Sequence, residues 1–216
     1  MSYLRGRETR YTAANITQHL HDCKRTEHLK GHQYMLRLIL LLPLWGLSHP
    51  TMPHDQFLYN FTTASGKAWE VEDDTVMGGE SEGHFEVTKE GHGKFYGHVS
   101  LENDGCFSSI QRELDPAGDV SQDTAFTLRV KGDGKQYTLR AQTEPEEKYM
   151  FEGSFSTSGE WEEVRIPFNK LKAMHHGEPV DVGPFTGGPV YKLQLMIGNQ
   201  KEQDFEMLID WIGSEG

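Results

Sequence analysis

The chain has 216 residues, 33 of them acidic and 21 basic, for a formal charge of −12. That length suits one domain of ordinary size plus a tail, and a field of that sign repels phosphate backbones, which excludes nucleic acid as a partner. The two cysteines, Cys23 and Cys106, lie too far apart in the chain for a CxxC-type metal site and are too few for a disulfide framework.

Residues 1–34 hold scattered charge and four histidines with no sustained apolar period. Met35-Leu36-Arg37, the apolar run Leu38–Leu47 and Ser48 then read as the basic, hydrophobic and small-residue parts of a signal peptide. The run is too short to span a bilayer. The expected organisation is a mis-assigned or disordered extension over 1–34, a signal peptide over 35–48, and a single β-sandwich domain over 49–216. No membrane span is expected in the mature chain, and the protein would be exported or periplasmic. A tail followed by a buried apolar segment or an anchor is the alternative. A mitochondrial transit peptide is a third reading: Arg5, Arg7 and Arg10 suit it, while Glu8, Asp22 and Glu27 do not. Mitochondrial or cytoplasmic placement therefore stays open. From residue 49 onward, 14 lysines and arginines face 30 aspartates and glutamates, and Cys106 is alone.

From Phe57 the pattern is short strands and turns. Phe57–Thr62 opens, and Ala64–Lys67 turns. Trp69 and a run of carboxylates (Glu70, Glu72, Asp73, Asp74) lead into Val76-Met77-Gly78-Gly79, where adjacent glycines permit positive φ and close backbone approach. Strands follow at His84–Thr88 and Lys94–Ser100, then a polar turn at Glu102-Asn103-Asp104-Gly105. Phe107–Arg112 reads as a strand entering a loop at Leu114–Gln122, which carries Pro116 and Gly118. Phe126, Leu128 and Val130 alternate with polar residues. Gly132-Asp133-Gly134-Lys135 signals a hairpin, returning with Tyr137, Leu139 and Ala141 on one face. Tyr149, Phe151, Gly153 and Phe155 alternate next, then Val164, Ile166 and Phe168, with Pro167 marking an edge strand. Asn169–Met174 suggests a helical turn, and His175–Pro189 a loop. Val190–Gly198 and Asp204–Gly213 close the chain, with Phe205, Met207, Ile209 and Trp211 on one face. Ten or eleven short strands with turn signals and no crossover helices predict an all-β fold, an antiparallel β-sandwich or jelly roll.

The two shaped turns suggest a rim that binds a ligand or partner, or a corner the fold requires. Trp69, Asp73, Asp74, Met77, Gly78, Gly79, Asn103, Asp104 and Arg112 are its candidate residues. Gly79-Glu80-Ser81-Glu82-Gly83 matches G-x-S-x-G, yet the following residues alternate like a strand where the hydrolase elbow needs a helix, so no catalytic residue is assigned. Asp73 and Asp74 could help bind a structural Ca²⁺, which wants six to eight oxygens, or Asp74 could cap the turn through backbone N–H groups. No other cofactor is expected. His92, His98, His175 and His176 read as exposed loop residues rather than ligands. Trp161 reads as core, whereas Trp69 is balanced between core and a sugar-stacking surface. Arg112, Arg129 and Arg140 suggest one shared outer face.

Trp69, the Asp74–Ser81 segment, Gly97–Asn103, Gly132–Tyr137 and Trp161–Phe168, taken in this order, resemble the complex I intermediate-associated protein 30 family, and a compact bacterial member of it. The resemblance runs from about Phe57 to Ile212. It implies a galactose-binding-domain-like jelly roll. It also implies a non-enzymatic role in assembling respiratory NADH:ubiquinone oxidoreductase, with respiratory-complex subunits as partners. The chain departs from the pattern at Cys106, where a second glycine is expected, and at His175-His176-Gly177-Glu178. The competing expectation is an exported carbohydrate-binding module with a structural cation and a glycan partner.

Overall fold

The computed structural model describes residues 57–62 and 69–216. The expectations for residues 1–48 and for the turn at Ala64–Lys67 lie outside the described residues. Thirteen strands are present, with three short 3-10 turns and no α-helix among the described residues. The strands are β1 (Phe57–Asn60), β2 (Glu70–Asp73), β3 (Glu82–Val87), β4 (Gly93–Val99), β5 (Ser108–Asp119), β6 (Ala125–Lys131) and β7 (Gln136–Gln142). The rest are β8 (Met150–Ser156), β9 (Glu162–Pro167), β10 (Lys172–His175), β11 (Glu178–Pro179), β12 (Pro189–Ile197) and β13 (Gln203–Glu215).

They form two antiparallel sheets. One has the order β3-β4-β13-β6-β9, with β1 continuing beside β13 below β4; the other runs β11-β10-β8-β7-β12-β5-β2. Period-two alternation supplies the core between them. Phe126, Leu128 and Val130 of β6 meet Leu139 and Ala141 of β7 and Leu193, Leu195 and Ile197 of β12, all buried. The expected jelly-roll sandwich is what these alternating faces build.

Three local expectations change. The loop read at Leu114–Gln122 is largely strand. β2 covers β5 only through Gln111, and the ladder to β12 skips from Glu113 to Gly118, so Pro116 sits on an uncovered, bulged stretch where its missing N–H breaks no ladder bond. Another bulge falls in β13 between Ile209 and Trp211. It turns Ile212 into the core and leaves Trp211 on the other side, against Phe57 at 5.3 Å. The expected helical turn at Asn169–Met174 is a 3-10 turn at Phe168–Lys170 followed by β10. The long loop after it contributes Phe185, which packs against Phe126, Phe151 and Phe168.

Candidate functional site at the rim

Asp73 ends β2, and residues 74–77 form a 3-10 turn that stops at Gly78, whose φ of +94° is a left-handed value only glycine adopts at no cost. Asp74 is completely buried. Its carboxylate receives four hydrogen bonds, from Ser81 N–H at 3.0 Å, Ser81 Oγ–H at 2.6 Å, Cys106 N–H at 2.6 Å and Phe107 N–H at 3.0 Å. Ser100 N–H donates in turn to Ser81 Oγ at 3.0 Å, and Glu102 N–H to Ser100 Oγ at 3.1 Å. The partners are neutral donors, and a buried carboxylate is tolerable when its lone pairs are filled in this way. Asp74 thus ties the 74–79 turn, the start of β3 and the 102–107 turn into one unit. Asn103, at φ 53° and ψ 40°, adds an outer clasp by donating from Nδ2 to Glu80 Oε1 at 2.8 Å.

The G-x-S-x-G match is explained by this packing. A Cβ on Gly79 would meet Asp74 Oδ1 at 2.3 Å, and one on Gly83 would meet Ser108 Oγ at 2.1 Å. Both glycines let polar side chains reach under the rim. Ser81 is 1% exposed, with its hydroxyl proton on Asp74 and its lone pair taken by Ser100 N–H, so it faces no substrate. Ser81→Ala is expected to lower stability by about 1–2 kcal/mol, read from the urea midpoint, because it orphans a buried N–H and removes a donor. Loss of an esterase activity with an unchanged midpoint would contradict that role.

The other candidates are dispersed. Asp73 accepts from Gly83 N–H at 3.0 Å, and burial, the largest influence on it, raises its pKa above the usual carboxylate value. Asp74 has both oxygens occupied, and no group of three or more His, Cys, Asp or Glu converges among the described residues. The side chains of Met77 and Asp104 lie outside the described residues. Trp69 is in the core: its ring lies 5.4 Å from Tyr59, 5.5 Å from Phe61 and 6.0 Å from Phe85. Its position just before β2 turns it inward, between the sheets. Trp161 is the opposite case. The alternation that points Val164, Ile166 and Phe168 inward points Trp161 outward, where it is half-buried beside His92 at 4.7 Å and under Arg129 at 5.5 Å. That parity was legible in the sequence.

The three arginines do not share a face. Arg112 stands opposite Leu193 on the inner side and covers the Tyr59 ring at 4.6 Å. Arg129 lies on the outer face of the six-stranded sheet and Arg140 on that of the seven-stranded sheet. At least three of the four histidines lie on or beside strands rather than in free loops: His98 Nδ1 is 2.8 Å from Asp204, His92 Nδ1 is 3.6 Å from Asp210, and His175 ends β10. Sequence reasoning missed Ser81 and Ser100 as rim partners. For Ser81, a serine between Gly79 and Gly83 and seven residues after Asp74 was the available signal.

The family model for complex I intermediate-associated protein 30 matches residues 59–209, which takes in the whole Asp74 unit. The chain belongs to this family. A relative, the mitochondrial complex I intermediate-associated protein 30 of Mus musculus, is 29% identical over 167 residues, covering 67% of this chain. The chain spans about half the length (51%) of that relative. Among solved structures, a family 11 carbohydrate-binding module from Clostridium thermocellum, in complex with a β-1,3-1,4-mixed-linked tetrasaccharide, superposes with a TM-score of 0.55 at 16% identity, covering 74% of this chain and 95% of the module. An agarase superposes at 0.51 and 10% identity, over 74% of this chain and 26% of the enzyme. At these identities the likeness is one of fold. No helix among the described residues is long and apolar enough to cross a membrane.

Proposed function

We propose that this chain is a non-catalytic binding module with an assembly-factor role, whose rim meets a basic protein partner. Family membership supports the role, and one observation carries the site. Asp74 and the Asn103–Glu80 clasp lock two loops together, and the locked rim presents Leu101, 41% exposed, beside the exposed carboxylates of Glu80 and Glu102. A pre-ordered apolar contact ringed by one sign of charge lowers the ordering cost of binding and selects a complementary partner. The family name makes subunits of respiratory NADH:ubiquinone oxidoreductase the first partners to test.

The test is affinity capture with the full chain and with a Glu80→Lys/Glu102→Lys variant. Respiratory-complex subunits are expected with the wild type. Their recovery is expected to drop about tenfold in the variant and to fall with rising salt, since exposed charges are screened within about 8 Å at physiological ionic strength. Equal recovery by both chains, or none of these subunits, removes the reading.

A further inference from the structure

The outer side of the seven-stranded sheet holds a second constellation, which starts at Glu72 and Ser109 next to the Asp74 unit and runs away from it across the strands. Cross-strand register lines up Glu70, Gln111, Gln194, Arg140, Glu152 and Lys172 in one row over six strands. At about 4.8 Å per strand the row is about 24 Å long. Its neighbours along each strand, including Leu139, Ala141, Leu193 and Leu195, point into the core, so this row faces away from it.

The row is polar, and its middle is buried. Gln194 is 5% exposed and the adjoining Ser109 0%, while the Arg140 and Glu152 side chains are 15% and 24% exposed. Arg140 Nη1 donates to Gln194 Oε1 at 3.0 Å. Gln194 Nε2 donates to Ser109 Oγ at 3.1 Å and, more weakly, to Glu72 Oε2 at 3.4 Å. Arg140 Nε is 3.1 Å from Glu152 Oε2 but off the N–H direction, so that buried donor makes no hydrogen bond. Burial raises the Glu152 pKa, against the lowering influence of Arg140 and Lys172. Desolvating an ion pair in mid-sheet commonly stabilises less than apolar side chains of the same size would. Such a departure from the best-folding choice marks a place held for something other than stability.

Two residues along β12 and β7, Lys192 and Gln142 extend the row into a pocket of 310 Å³ that Glu113 and Tyr191 also line. That volume is at the small end of ligand sites. Lys192 Nζ and Glu113 Oε1 stand 3.9 Å apart, a loose pair that leaves both heads able to bond elsewhere.

The charges decide the ligand class. Glu70, Glu72, Glu113, Glu152 and Asp115, which also lines the pocket, oppose an anion, and Arg140, Lys172 and Lys192 oppose a cation. A protein partner wants an apolar interface centre, and here the centre is Gln194, Arg140 and Ser109. What suits interleaved amide, guanidinium, hydroxyl and carboxylate groups is a neutral ligand dense in hydroxyls, each of which donates and accepts at once. We propose that this face is a binding site for an uncharged glycan, laid across the strands along Gln111, Gln194, Arg140 and Glu152 with one sugar in the Lys192–Gln142 pocket. The site uses none of the rim residues Glu80, Leu101 and Glu102.

Affinity electrophoresis of the full chain in native gels containing barley β-glucan, xyloglucan, galactan or alginate tests it. Retardation is expected in at least one neutral gel and not in alginate. It should weaken at least tenfold in Arg140→Ala/Gln194→Ala, and measurably in Lys192→Ala, whose side chain, 26% exposed, makes only the loose pair with Glu113. Glu80→Lys should bind as the wild type does. Migration unchanged in all three neutral gels, retardation in alginate alone, or full retardation of Lys192→Ala and of the folded double variant each overturns the assignment.

Discussion

Asp74→Ala is expected to cost about 3–5 kcal/mol of folding stability, because removing a buried group with several partners leaves those partners orphaned. Ser81 Oγ–H and the N–H groups of Ser81, Cys106 and Phe107 all lose their acceptor at once, in a place water does not reach. Against a total of about 5–15 kcal/mol for a typical domain, the substitution removes a large fraction. Urea unfolding reads it as a lowered midpoint with an unchanged slope. Asp74→Asn keeps the shape but turns an amide N–H₂ toward donors, so about 2 kcal/mol is expected from the same rule for unpaired buried groups. The contrast separates this role from a cation site. If Asp74 held calcium, chelator would lower the melting temperature of the wild type and leave Asp74→Asn unaffected. The donor geometry predicts no chelator effect on either.

Trp69→Ala is the second large loss, about 3–5 kcal/mol, as for truncation of other buried aromatics. The indole fills the space among Tyr59, Phe61 and Phe85 at the end of the sandwich, and its removal leaves a void that β1 and β3 cannot close without shifting. Trp69→Phe keeps most of the apolar volume and also removes an indole N–H that is buried without a partner, so about 1–1.5 kcal/mol is expected. Thermal unfolding of the two variants checks the ranking. A Trp69→Ala chain that melts like the wild type but loses a ligand would return this residue to the surface.

Both predictions concern residues that stood out in the sequence for a different reason. Composition marked the Trp69–Gly79 stretch because no strand needs four carboxylates and paired glycines, and the Asp74 unit lies in that stretch. It did not distinguish a binding rim from a folding corner. The distinction depends on where the carboxylate points, and Asp74 points inward, to backbone groups 32 and 33 residues further on. The same applies to Trp69 and Trp161, where a single step of parity or a strand boundary exchanges inside for outside. Period-two alternation was sufficient for the inner faces of β6, β7 and β12, whose core positions run without an inserted residue. It failed at β5 and β13, where a bulge resets the parity and leaves no mark in composition.

What the sequence determined is the fold class and the family. Apolar residues at every second position, glycine-marked turns and the absence of a helical period permit two stacked antiparallel sheets, because stacking two such faces removes both from water. Only the tertiary structure decided which polar residues act together. Gln194, Arg140, Ser109 and Glu72 come from four strands, and their meeting depends on strand order and register, which the folded sheets set through long-range pairing.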